Sequence, residues 1–154
     1  MKYRSKVSII MGSKSDAETV EETVKILKKF EIAYELKILS AHRNPDQLVK
    51  YVKTFSKTDV QVVIAAAGMS AALAGAIAAH TILPVIGVPM HTKTLEGMDS
   101  LLSTVQMPRG IPVACMSIGA SGACNAGILA CQILALNDRV LRKKLDQFKN
   151  LSKK

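Results

Sequence analysis

Short apolar runs alternate along the chain with stretches in which apolar residues recur every three or four positions. Lys6 to Met11 is β-branched and apolar and stops at Gly12, after which Val20, Val24, Leu27 and Phe30 follow at helical spacing. The same order returns with Tyr34 to Leu39 as a strand and Leu48, Val49, Val52 and Phe55 on a helix. A third unit runs from Val60 to Ala66 and then into a helix of very small residues from about Ala71 to His80. Pro84 to Val88 reads as a fourth strand, with a helix over Leu101 to Gln106 after it. Pro112 to Met116 reads as a fifth, followed by a Gly-rich loop and a long helix from near Ala123 to Leu136. A final amphipathic helix from about Asp138 carries Val140, Leu141, Leu145 and Phe148 on one side. Strand and helix in strict alternation predict an α/β fold, a flavodoxin-like three-layer sandwich with a five-stranded parallel sheet and an extra C-terminal helix.

Composition narrows this only slightly. With 154 residues, 49% of them hydrophobic, the chain can bury one full core. Residues 1–154 are read as a single domain, with 138–154 a helix docking on a neighbouring subunit. The basic start at Met1 to Lys6 is too short to form a signal peptide with the apolar run behind it. Gly75, His80, Pro84 and Gly87 break the other apolar stretches, so no membrane span is expected and the protein reads as cytoplasmic. Cys115, Cys124 and Cys131 are odd in number and lack Cys-x-x-Cys spacing, which fits buried thiols better than disulfides or zinc ligands.

The net charge of +9 raises the question of nucleic acid, and its distribution argues against it. Residues 1–6 carry +3 and residues 138–154 carry +5, leaving the body of the chain nearly neutral. No aromatic platform accompanies the basic helix, so a solvated face explains it.

The candidate chemistry lies in the loops after the first three strands. Ser15 followed by Glu18 is a capping-box pattern that makes Ser15 the N-cap of the first helix. The loop through Ser13, Ser15 and Asp16 then offers N–H groups and hydroxyls to a phosphate at a helix N-terminus, or simply caps that helix. Asp16 repels phosphate and suits the hydroxyls of a sugar. Ser40-Ala41-His42-Arg43-Asn44-Pro45 sets a titratable imidazole and a guanidinium directly after the second strand, with Asn44 as N-cap and Pro45 at the first helical position. Arg43 can give a two-pronged contact to the phosphate that Ser13 approaches. Gly68 and Ser70 follow the third strand. His91 lies in a polar loop and is not taken as a ligand, and the three histidines share no metal spacing.

Five stretches together carry a family resemblance. They are Met11-Gly12-Ser13-Lys14-Ser15-Asp16, Ser40 to Pro45, Leu83 to Pro89, Asp99-Ser100-Leu101-Leu102-Ser103, and Val105 to Val113 with its Gln106-Met107-Pro108 core. In this order and over nearly the whole chain, the sequence resembles the N5-carboxyaminoimidazole ribonucleotide mutases of purine biosynthesis. The resemblance implies an isomerase that moves a carboxylate from the exocyclic nitrogen to C4 of an imidazole ribonucleotide, with no metal and no cofactor. It implies a homo-octamer with active sites at subunit contacts. By matching positions it assigns phosphate binding to Ser13 and Arg43, ribose binding to Asp16 and general acid/base work to His42, with Ser15, Ser40, Gly68 and Ser70 as further substrate-binding positions.

One stretch departs from that pattern. Where the mutases read Gly-Gly-Ala-Ala-His-Leu-Pro-Gly, this chain reads Gly68-Met69-Ser70-Ala71-Ala72-Leu73-Ala74-Gly75, with Ala72 at the loop histidine and Ala74 at the proline. That keeps two other readings open: a related aminoimidazole ribonucleotide carboxylase that uses free carbon dioxide, and a nonenzymatic nucleotide-binding or assembly module.

Overall fold

The computed structural model describes residues 5–151, so most of the basic N-terminal cluster and the last three residues lie outside it. Strands β1 (Val7–Met11), β2 (Tyr34–Ile38), β3 (Val62–Ala67), β4 (Val85–Pro89) and β5 (Ala114–Cys115) form one all-parallel sheet in the order β2-β1-β3-β4-β5. Helices α1 (Ala17–Lys29), α2 (Pro45–Lys53), α3 (Leu73–Ala78), α4 (Met98–Val105), α5 (Ala120–Leu134) and α6 (Arg139–Leu151) cover both faces. This is the flavodoxin-like sandwich expected from the alternation.

Period-two alternation inside the buried strands β1, β3 and β4 sorts the core into two layers. Ile9, Ile64 and Ile86 point to one face with Val20, Val24 and Leu27 of α1, Ala126 and Ala130 of α5, and Leu141 and Leu145 of α6. Ile10, Val63 and Val85 point to the other, against Leu48 and Val52 of α2 and Leu73 and Ile77 of α3. Each buried valine, leucine or isoleucine among them contributes about 1.5–3 kcal/mol.

Small residues let the layers close. A Cβ on Gly87 would stand 2.4 Å from Thr104 Cγ2, so α4 lies directly on β4. A Cβ on Gly127 would stand 2.9 Å from Ile26 Cβ, and beside it the Thr23 hydroxyl donates to the Ala123 carbonyl at 2.7 Å, which ties the α1 side chain to the α5 backbone.

Several boundaries differ from the sequence reading. α5 starts three residues earlier than expected, because Gly119 takes the turn at φ +75° and its carbonyl accepts the first helical bond from Ala123. β5 shrinks to two residues on the sheet edge, where Pro112 has no N–H to pair. The α3 helix is shorter than its small-residue stretch, and His80 lies beyond its end with Nδ1 2.9 Å from the Ala76 carbonyl. The face of α6 carrying Leu141, Leu145 and Phe148 packs on the chain's own core, with Phe148 edge-on to Phe30, while Val140 stays exposed. Of the thiols, Cys131 is buried and Cys115 and Cys124 are half-buried. Burial pushes the Cys131 thiol up to about 12. No described helix is long and apolar enough to cross a membrane.

Candidate active site

The winding of the sheet reverses between β1 and β3, which opens a crevice at the carboxyl ends of these strands. Four loops line it. After β1, the Gly12 N–H is still bonded to the Ala66 carbonyl of the next strand, and a 3-10 turn at Lys14–Asp16 follows. Here the capping box differs from the one expected: Ser13, not Ser15, is the cap, and its partner is Asp16 rather than Glu18. The Ser13 N–H donates to Asp16 Oδ2 at 3.2 Å, and Ser13 Oγ accepts from the Ser15 N–H at 3.3 Å and the Ser15 hydroxyl at 2.9 Å. The extra tight turn moves the start of α1 to Ala17, which leaves Ser15 to hold the carboxylate through its hydroxyl at 3.3 Å. Asp16 is thereby half-buried. Burial raises its pKa, and the hydrogen bonds from Ser15 and Ser13 and the charge of Arg43 offset only part of that rise.

The loop after β2 folds against the first. The Leu39 N–H donates to the Met11 carbonyl at 3.0 Å, the Asn44 N–H to the Ser40 carbonyl at 2.9 Å, and the Arg43 N–H to Ser40 Oγ at 3.2 Å. Pro45 begins α2 as expected, but the Asn44 side chain makes no capping bond, since its backbone at φ −134°, ψ 47° aims it elsewhere. Arg43 Nη2 donates to the Gly12 carbonyl at 2.8 Å. One of the guanidinium's five N–H donors is used there, which fixes the plane and leaves others for an anion. His42, between the two anchored residues, is exposed, and no described residue hydrogen-bonds its ring.

The loops after β3 and β4 close the other side. Gly68 lies so near the β4 loop that a Cβ there would meet Met90 Cβ at 3.3 Å and Thr92 Cγ2 at 3.4 Å. Thr92 is held in turn: its hydroxyl donates to Asp99 Oδ1 at 2.9 Å and accepts from the Gly97 N–H, while Asp99 also caps Ser100 N–H. His91 Nε2 pairs with Glu96 Oε2 at 2.5 Å.

These loops enclose a cleft of about 660 Å³. It brings together every site position read from the sequence: Ser13, Ser15, Asp16, Ser40, His42, Arg43, Gly68 and Ser70. It adds Met69, Ala72, Leu73, Met90, His91, Thr92 and Lys93. The β4-loop residues were legible only as polar groups after a strand, a signal shared with any surface loop. The cleft is apolar along Ala67, Ala72, Leu73 and Met90 and carries charge at Arg43, Asp16 and Lys93.

An open parallel sheet with serine, arginine and a carboxylate gathered at its switch point defines an α/β protein built to hold a small phosphorylated ligand. Comparison with known proteins is more specific. The AIR carboxylase family model matches residues 6–154. The N5-carboxyaminoimidazole ribonucleotide mutase of Bacillus subtilis is 54% identical, covering 92% of this chain and 87% of the relative. The Pyrococcus abyssi mutase is 49% identical over 94% of this chain and 82% of its own, and that of Escherichia coli 45% identical over 94% and 86%. The crystal structure of Treponema denticola PurE superposes with a TM-score of 0.86 at 29% identity, covering 95% of this chain and 90% of that one. The chain belongs to the AIR carboxylase family, among its N5-carboxyaminoimidazole ribonucleotide mutases.

Proposed function

We propose that this protein is the isomerase of purine biosynthesis that converts N5-carboxyaminoimidazole ribonucleotide to 4-carboxy-5-aminoimidazole ribonucleotide. The observation that carries the reading is the meeting of Ser13, Asp16, His42 and Arg43 in one cleft of a chain 54% identical to a named mutase. Ser13 and Arg43 hold the phosphate, with Ser15 and Ser40 fixing their loops. Asp16 accepts from the ribose hydroxyls, and Gly68 and Ser70 lie under the base.

His42 carries the proton. As imidazolium it gives a proton to the exocyclic nitrogen while the N–C bond breaks and leaves its electron pair on that nitrogen. Carbon dioxide is released inside the cleft. C4 then supplies the electron pair for the new C–C bond, and its proton passes to His42, which restores the aromatic ring and the imidazolium together. An imidazole can both give and take a proton, so one side chain serves both transfers. Holding both fragments in place replaces a bimolecular encounter by an intramolecular one.

We further propose that the working form is a cytoplasmic homo-octamer. Leu95, Met98, Leu102 and Val105 on and before α4 are each about half exposed, more apolar surface than a helix needs for its own chain. The region 138–154 would meet a neighbour through Val140 and Leu151, with Leu136 just before it, all three of which the chain's own core leaves exposed. Light scattering checks the assembly.

The deciding experiment compares conversion of N5-carboxyaminoimidazole ribonucleotide with that of aminoimidazole ribonucleotide plus bicarbonate. Rapid turnover of the first alone is the expected result. Preference for the second would make the protein a carboxylase using free carbon dioxide, and turnover of neither would make it a binding module.

A further inference from the structure

The loop after β3 contains a backbone anomaly that the reaction, as described, does not use. Met69 has φ +56°, in the left-handed region. Asn, Asp and Gly enter that region at small cost, whereas methionine has no short polar group to bond its own backbone. Two other described non-glycine residues share a positive φ. Glu31 follows the end of α1, and Glu96 precedes the anchored Gly97 turn. Met69 differs from both in lining the cleft. It is also 67% exposed, while its apolar neighbours in the wall, Leu73 and Met90, are 2% and 4% exposed. The residues on either side are held, Gly68 by its fit against Met90 and Thr92 and Ser70 by the bond from the Ala72 N–H to its carbonyl at 2.8 Å. The fold therefore keeps a long, flexible apolar side chain on the exposed side of the cleft, in a conformation it does not favour by itself.

We propose that Met69 closes the cleft over the base and retains carbon dioxide between its release from nitrogen and its capture by C4, a role that rests on the reaction proposed above. In that interval carbon dioxide is bonded to nothing. It is linear, uncharged and without a dipole, so donors do not hold it and only walls do. Ala67, Ala72, Leu73 and Met90 form such a wall beneath, with the small Ala72 leaving room. The missing side is the one Met69 can cover, and a thioether chain adapts to a flat ring. Covering the base buries the exposed side chain, which offsets the strain of its backbone.

The test uses substrate labelled with ¹³C in the carboxylate, in unlabelled bicarbonate with carbonic anhydrase to trap whatever escapes. The wild-type enzyme is expected to keep the label in its product. Met69→Gly is expected to lose several-fold more label per product formed, while melting at the same temperature or higher, because glycine adopts φ +56° freely. Met69→Leu, which restores an apolar cover, should retain label as the wild type does. Equal retention by Met69→Gly and wild type overturns the proposal. A wild-type protein that makes no product from this substrate overturns the reaction itself, a separate and distinguishable result.

Discussion

Arg43 Nη2 lies 2.8 Å from the Gly12 carbonyl, so the guanidinium that follows β2 is anchored on the end of β1. That one bond sets the mutual position of the two loops on which phosphate binding is proposed to rest. A charge-assisted hydrogen bond to a ligand is worth about 1.5–3 kcal/mol. Arg43→Ala is therefore expected to raise KM by about ten- to a hundredfold with a smaller effect on kcat. Arg43→Lys should recover only part of this, because an ammonium lacks the planar fork. Steady-state kinetics of the two variants check it.

His42 is exposed between two anchored neighbours and has no described structural bond to lose. His42→Asn should leave the melting temperature unchanged and ribonucleotide binding, followed by calorimetry, nearly so. Turnover should fall by about 10²–10⁴, the usual worth of a general acid/base. Undiminished turnover would remove His42 from the mechanism.

Asp16 predicts a pH dependence of stability. Burial raises its carboxyl above the ordinary 3.8 despite the bonds from Ser15 and Ser13, so the folded chain holds this proton more tightly than the unfolded one. Its stabilising contribution is complete below the unfolded value and is lost as pH rises through the folded value. Asp16→Asn escapes that loss. Its melting temperature should gain on wild type by about 1–2 °C as pH rises above the ordinary carboxylate range, a small shift because half of the group is solvated. The same variant should bind the ribonucleotide more weakly, which calorimetry reads.

Away from the cleft, Tyr51 ties α2 to the first two strands. Its hydroxyl lies 2.8 Å from the Ser8 Oγ, which is fully buried, and donates to Glu35 Oε1 at 2.5 Å. Burial and the adjacent Glu35 carboxylate hold the phenol well above its usual pKa, so it stays a donor at any physiological pH. Tyr51→Phe strands the Ser8 hydroxyl and should cost about 1–3 kcal/mol in denaturant unfolding. Ser8→Ala together with Tyr51→Phe should cost less than the sum of the two, since the orphaned group is gone.

Much of this protein is legible in the order of its residues. Strand and helix alternate so cleanly from Val7 to Leu134 that the five-stranded parallel sheet and its layers of helices follow from the pattern of periods two and three to four. The loops after β1 and β2 were readable for the same reason: a polar cluster between an apolar run and a helix has one place to go, the carboxyl edge of the sheet. Tertiary structure decided what local pattern cannot encode. Ser15 with Glu18 and Ser13 with Asp16 satisfy the same spacing, and the choice fell to the second because a 3-10 turn lets Asp16 reach back to the Ser13 N–H. His91, Thr92 and Lys93 joined the cleft only because β4 lies beside β3 and Gly68 lets the two loops touch. The left-handed turn at Met69 goes against its own residue type, so no propensity could have announced it; the packing on either side imposes it.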